Sequence, residues 1–169
     1  HQGLPIVVAI LIVTLARGLG MQAHGINYPG HFLLRVDNEL IDPLALTVIQ
    51  RDSLQTYPGV SADEMLSQAS ALTVGFRMLN NLKSYYMRLQ NWSATLAVTE
   101  YQMAIVQEDT VLLCLVHFER GEYRHLMGDT NGALDEFVQC VAVGPENEVA
   151  KKAKERIVSL LEDRPNILH

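Results

Sequence analysis

Hydrophobic positions change their rhythm twice along the chain. Residues 4–16 form an apolar block interrupted only by Thr14, ending at Arg17 and Gly18-Leu19-Gly20. A basic last turn followed by glycine, which tolerates the left-handed conformation, is a helix stop, so residues 4–19 are expected to form one buried helix. The block is shorter than the roughly 18–20 apolar residues of a membrane span. Only His1-Gln2 stands ahead of it where a signal peptide carries basic residues, so membrane contact is not expected. Short β-rich stretches follow at 22–26, 32–36 and 39–42, separated by turn chemistry at Asn27-Tyr28-Pro29-Gly30 and Asp37-Asn38. They predict two or three short antiparallel strands. Residues 44–50 are apolar but fit helix and strand equally.

Tyr57-Pro58-Gly59 is a turn signal ahead of Ser61-Ala62-Asp63-Glu64, a capping box in which hydroxyl and carboxylate satisfy the free N–H groups of a helix start. From Ser61 onward every segment has helical spacing. The expected fold class is α+β, with an α/β part over residues 1–58 and an all-α part over 61–169. The helical part echoes itself. Asn91-Trp92-Ser93-Ala94-Thr95-Leu96 matches Asp129-Thr130-Asn131-Gly132-Ala133-Leu134, each at a turn between two amphipathic helices. The offset exceeds the tetratricopeptide period by about four residues, placed near 107–110. One helix pair would run through Leu79, Leu82, Tyr86 and Leu89, then Leu96, Thr99 and Met103. A second would use 113–126 and 133–143, with Phe137 in the aromatic position and Gly144-Pro145 as its end. A charged capping helix over 146–162 is expected to turn Lys151, Lys152, Lys154, Glu155 and Arg156 outward.

Composition narrows the function classes. The chain has 169 residues, 49% hydrophobic and 19% charged, with mean hydropathy +0.10; such a chain folds into a core. Thirteen Lys and Arg against nineteen Asp and Glu give a net charge of −6, which repels a phosphate backbone, so no nucleic-acid partner is expected. Cys114 and Cys140 lie far apart with no CxxC pair, which fits buried thiols in a reducing cytoplasm. The six histidines have no i, i+4 partner, and no phosphate-cradling glycine motif is present, so no metal and no cofactor are expected. Tyr85, Tyr86 and Trp92 have core spacing, with a peptide-lining groove as the other reading. With no initiator methionine before it, the segment reads as part of a longer polypeptide.

Candidate chemistry concentrates in the first part. His31 at the start of one strand and Asp42 on its neighbour would place an imidazole beside a carboxylate able to hold its tautomer, two members of a nucleophilic triad. The same pair also serves as a polar contact that locks two strands. Taken together, Gly3-Leu4-Pro5-Ile6 through Arg17-Gly18-Leu19-Gly20, Asn27-Tyr28-Pro29-Gly30-His31-Phe32-Leu33-Leu34-Arg35 and Leu40-Ile41-Asp42-Pro43 resemble the transglutaminase-like fold, a papain-related scaffold. More closely they resemble bacterial SirB-type proteins, which join such a core to tetratricopeptide repeats. Met78-Leu79-Asn80-Asn81-Leu82-Lys83, Glu119-Arg120-Gly121 and Ile167-Leu168-His169 extend that likeness.

The resemblance implies a helix that begins Gly, any residue, Cys. Here Gly3, Ala9, Arg17 and Gly20 keep the register, and the nucleophile position holds Pro5, which cannot attack a carbonyl. His31 takes the place of the family's catalytic imidazole and Asp42 that of its orienting carboxylate. Cys114 and Cys140 belong to the repeat helices, and Thr14 and Ser53 do not match the nucleophile position. The resemblance therefore implies a degenerate core. The expected function is that of a non-catalytic regulatory or scaffold protein whose partner is another protein or a peptide. The alternative is an amide-bond hydrolase or acyltransferase using His31 and Asp42 with a nucleophile from outside this segment.

Overall fold

The structure is a computed structural model whose described residues are 4–162, with side chains described from residue 6 onward. More than half of the chain is helical, and its strands form one four-stranded antiparallel sheet, so the architecture is α+β. Two compact units divide between Asn81 and Leu82. The change from strand to helix lies near Pro58, but the first helical residues after it belong with the sheet.

In the N-terminal unit, α1 (Leu4–Gly18) ends in a Schellman-type cap: the Gly20 N–H donates to Arg17 O and the Met21 N–H to Ala16 O, with Gly20 at φ 84°. Strands β1 (Ala23–Ile26), β2 (Leu33–Val36), β3 (Glu39–Asp42) and β4 (Thr47–Ile49) follow in the order β1-β2-β3-β4. Pleat alternation sends Leu34, Val36 and Ala23 toward α1, where Ile6, Ala9 and Ala16 meet them, and Leu33, Leu40 and Ile26 to the other side. That other side is closed by Met65 and Leu66, from α2 (Ala62–Met65) and the residue after it. Ser61 caps α2 by accepting from the Glu64 N–H at 3.2 Å. The helix stops after one turn because the next residues lie along the sheet: Gln68 bridges Ile26 and the Ala69 N–H donates to Gly25 O. The helical spacing after Ser61 is thus divided between two helices, α2 and then α3 (Ala71–Arg88).

The expectation of a buried first helix is met on one side only. The sheet covers only one side of α1, leaving Leu11 59% and Leu15 68% exposed. Among the described residues no helix is long and apolar enough to cross a membrane. Where β1 crosses Phe32 there is no room for a side chain, since a Cβ on Gly25 would lie 2.5 Å from the Phe32 ring. Gly25→Ala should therefore cost about 1–3 kcal/mol, seen as faster amide hydrogen exchange across residues 23–36.

The C-terminal unit contains the end of α3, then α4 (Trp92–Ile105), α5 (Thr110–Leu126), α6 (Thr130–Val143) and α7 (Glu148–Glu162). Asn91 and Asp129 cap α4 and α6 alike, accepting from the N–H of Ala94 and Gly132. The buried positions also correspond: Thr95, Val98, Thr99 and Gln102 on α4 stand where Ala133, Glu136, Phe137 and Cys140 stand on α6. The core gathers around Phe137, Cys114, Cys140, Ala150 and Leu160. Arg156, expected to face outward, turns in: it bonds Glu122 at 2.6 Å and lies over the Phe137 ring. Its long apolar stem covers the core while its charge finds a carboxylate.

Candidate functional site

The segment 27–32 carries the first candidate residue and is held from three sides. Pro29 and Gly30, the latter at φ 77°, form a turn closed by the His31 N–H donating to Tyr28 O at 3.1 Å. This is the type II pattern that Pro followed by Gly favours. Tyr28 is buried; its hydroxyl donates to Gln55 O and its ring meets Tyr57 edge-on at 6.2 Å. Burial, chiefly, raises the Tyr28 hydroxyl above its ordinary pKa, as does its neighbour Tyr57. From α3, Arg77 donates to Asn27 Oδ1 at 2.8 Å and to Tyr28 O at 3.4 Å, with its guanidinium 5.6 Å from the centre of the Phe32 ring. Arg77 is a member of this site that the sequence does not reveal: one polar residue on a helix fifty positions from its partner carries no local signal.

His31 is exposed, two residues ahead of β2, and its imidazole makes no hydrogen bond among the described residues. Asp42 closes β3 one residue past the Leu34–Ile41 pair. Its Oδ1 accepts from the Leu44 N–H at 2.7 Å and the Ala45 N–H at 3.1 Å, which fixes the turn into β4. Strand pairing thus puts His31 and Asp42 at the same end of the sheet, and no hydrogen bond joins them. Pro5 lies in the first turn of α1; its side chain and Gly3 are outside the described residues. The terminal Ile167-Leu168-His169 is outside them as well.

The four other side chains considered as nucleophiles are bonded or buried. Thr14 donates to Ile10 O at 2.8 Å and Ser53 to Gln50 O at 2.7 Å. Cys114 on α5 and Cys140 on α6 are unoxidised, fully buried, and 2.7 Å apart at sulfur, a proximity their sequence separation hides. Burial, and then the neighbouring Cys114, pushes the Cys140 thiol upward, away from a reactive thiolate. Of the aromatic residues considered for a groove, Trp92 stacks on Tyr123 with ring centres 6.1 Å apart, and Tyr85 meets Tyr86 edge-on.

Residues 1–80 match the family model of the Transglutaminase-like superfamily, almost the whole of the N-terminal compact unit. The chain is also similar to a UPF0162 protein of Xylella fastidiosa (strain Temecula1 / ATCC 700964). The two are 24% identical over 177 residues, covering 96% of this chain and 62% of that one. The UPF0162 protein of strain 9a5c is 25% identical with the same coverage. The chain therefore spans less than two thirds of the length of these relatives. No solved structure matches.

Proposed function

We propose that the chain is part of a non-catalytic regulatory or scaffold protein of the cytoplasm that binds another protein or a peptide. In this reading residues 1–80 are a degenerate transglutaminase-like core of the SirB type, and the helices after it are tetratricopeptide-like pairs with α7 as their cap. The observation that carries the reading is the state of Asp42. Its Oδ1 is committed to two backbone N–H groups, where a catalytic carboxylate would hold the imidazole of His31. Pro5 at the nucleophile position and the inert burial of Cys114 and Cys140 agree with it. The repeat reading is supported by the four buried positions that correspond between α4 and α6.

The exposed imidazole of His31 favours a second reading, an amide hydrolase or acyltransferase whose nucleophile comes from outside this segment. Binding separates the two. Immobilised protein is expected to retain a partner from the extract of its own cells at fixed stoichiometry, and His31→Gln to retain it equally. Retention of no partner, or retention that His31→Gln abolishes together with release of a cleaved product, would contradict the proposal.

A further inference from the structure

We propose that His24, Arg35 and Arg17 form a binding site for an oxyanion, the carboxylate or phosphate group of a ligand, at the end of the edge strand β1. The proposal does not rest on the functional reading above. His24 and Arg35 are register partners on β1 and β2, so their side chains leave the same face of the sheet within contact range of each other. On the other side of Arg35 stands Leu40, which offers no charge. Arg17 comes from the last turn of α1, and its Nε donates to Ala23 O at 2.7 Å, which fixes its guanidinium beside the residue preceding His24.

Arg35 differs from its peers. Among the described residues the other buried or half-buried arginines, 77, 120, 124 and 156, all donate to side-chain oxygens. Half-buried Arg35 makes no hydrogen bond or ion pair among the described residues, and Arg17 makes no ion pair. The acidic residues next along the chain do not compensate them. Asp37 Oδ1 accepts from the Gln22 N–H at 3.0 Å, and Glu39 pairs with Val36, which places it on the α1 side of the sheet, away from Arg35.

A planar guanidinium without a protein partner is suited to a two-pronged bond to an oxyanion, and the imidazole beside it can donate one more hydrogen bond to the same group. In a chain of net charge −6 such a patch stands out. Burial, then the charges of Arg35 and Arg17, hold His24 below the ordinary imidazole pKa, which agrees with both guanidinium groups lying near the imidazole. A bound anion offsets the positive field at His24 and raises its pKa. The outer edge of β1 is covered at Gly25 and Ile26 by Ala69 and Gln68, so the cluster sits where that cover ends.

The test is an NMR titration of the whole protein, following the imidazole signals with sodium phosphate and, separately, with the peptide acetyl-Asp-Glu-Asp-amide. Ionic strength is held constant with sodium chloride. The His24 signals are expected to shift saturably with at least one probe while those of His117 stay in place. Arg35→Gln should weaken that binding about tenfold or more, the size of one lost charged hydrogen bond. Arg17→Gln, read in the same way, serves if Arg35→Gln does not fold. Saturation by phosphate supports a free anion, and saturation by the peptide alone supports a peptide carboxylate. No saturable shift at His24 with either probe, or undiminished binding by a folded variant, overturns the proposal.

Discussion

Replacing Glu136 with alanine is expected to destabilise the helical unit by about 3 kcal/mol, the lower end of the cost of breaking a buried ion pair. Glu136 is 8% exposed and gathers two guanidinium groups and an imidazole: Arg120 Nε at 2.7 Å, Arg124 Nε at 3.3 Å and His117 Nδ1 at 2.8 Å. Arg120 is itself 6% exposed, so the variant leaves a guanidinium in the interior without its principal partner. The loss is moderated because Arg120 keeps Thr99 at 2.9 Å and Glu100 at 2.8 Å. Urea unfolding followed through Trp92, the only tryptophan, reports on this unit directly because the indole stacks on Tyr123. The same carboxylate predicts an acid limb. Burial by itself raises its pKa, but hydrogen bonds from His117 and Arg120 and their charges bring it below the ordinary 4.5. A carboxyl whose pKa is depressed on folding stabilises the fold above its unfolded value and loses that contribution as pH falls through the folded value. Stability from this source is thus complete at neutral pH and disappears below about pH 4.5, and Glu136→Gln should flatten the decline.

Phe137→Ala should cost about 4 kcal/mol, the usual scale for emptying a fully buried aromatic site. The ring is 0% exposed, touches Phe118 with centres 5.5 Å apart and underlies Arg156. It also explains a glycine in mid-helix. A Cβ on Gly121 would lie 2.5 Å from the Phe137 ring, so α5 and α6 approach as closely as they do only because residue 121 has no side chain. Gly121→Ala alone should cost about 1–3 kcal/mol from overpacking. In the Phe137→Ala background the added methyl has space, so the penalty should disappear. A double-mutant cycle measures this, and additive losses would mean that the two residues do not compete for volume.

These interior relations mark the limit of what the sequence conveys. The first helix, three strands and the later helices follow from apolar spacing and turn residues, because those signals are local. β4 does not: it is three residues long with Val48 52% exposed, so no alternation announces it. The turn before it places Leu46 at φ 53°, a conformation leucine rarely takes. The break at residues 66–70 is equally silent, since it is imposed by pairing with Gly25 and Ile26 rather than by a breaker residue. At the candidate site the motif locates His31 and Asp42 but not their bonding. Asp42 ahead of Pro43 and Leu44 is a local turn former, and that short-range hydrogen bonding takes up its Oδ1. Arg77 and the paired sulfurs of Cys114 and Cys140 depend on contacts across many residues, which periodicity does not encode.

The central claim, a transglutaminase-like core without its reaction, is tested most directly by ammonia release. The protein is incubated at neutral pH with a glutamine-containing peptide, with and without a primary amine, beside the folded His31→Gln variant. The account predicts no release above buffer for either protein. Ammonia release by the wild type that His31→Gln abolishes would contradict it.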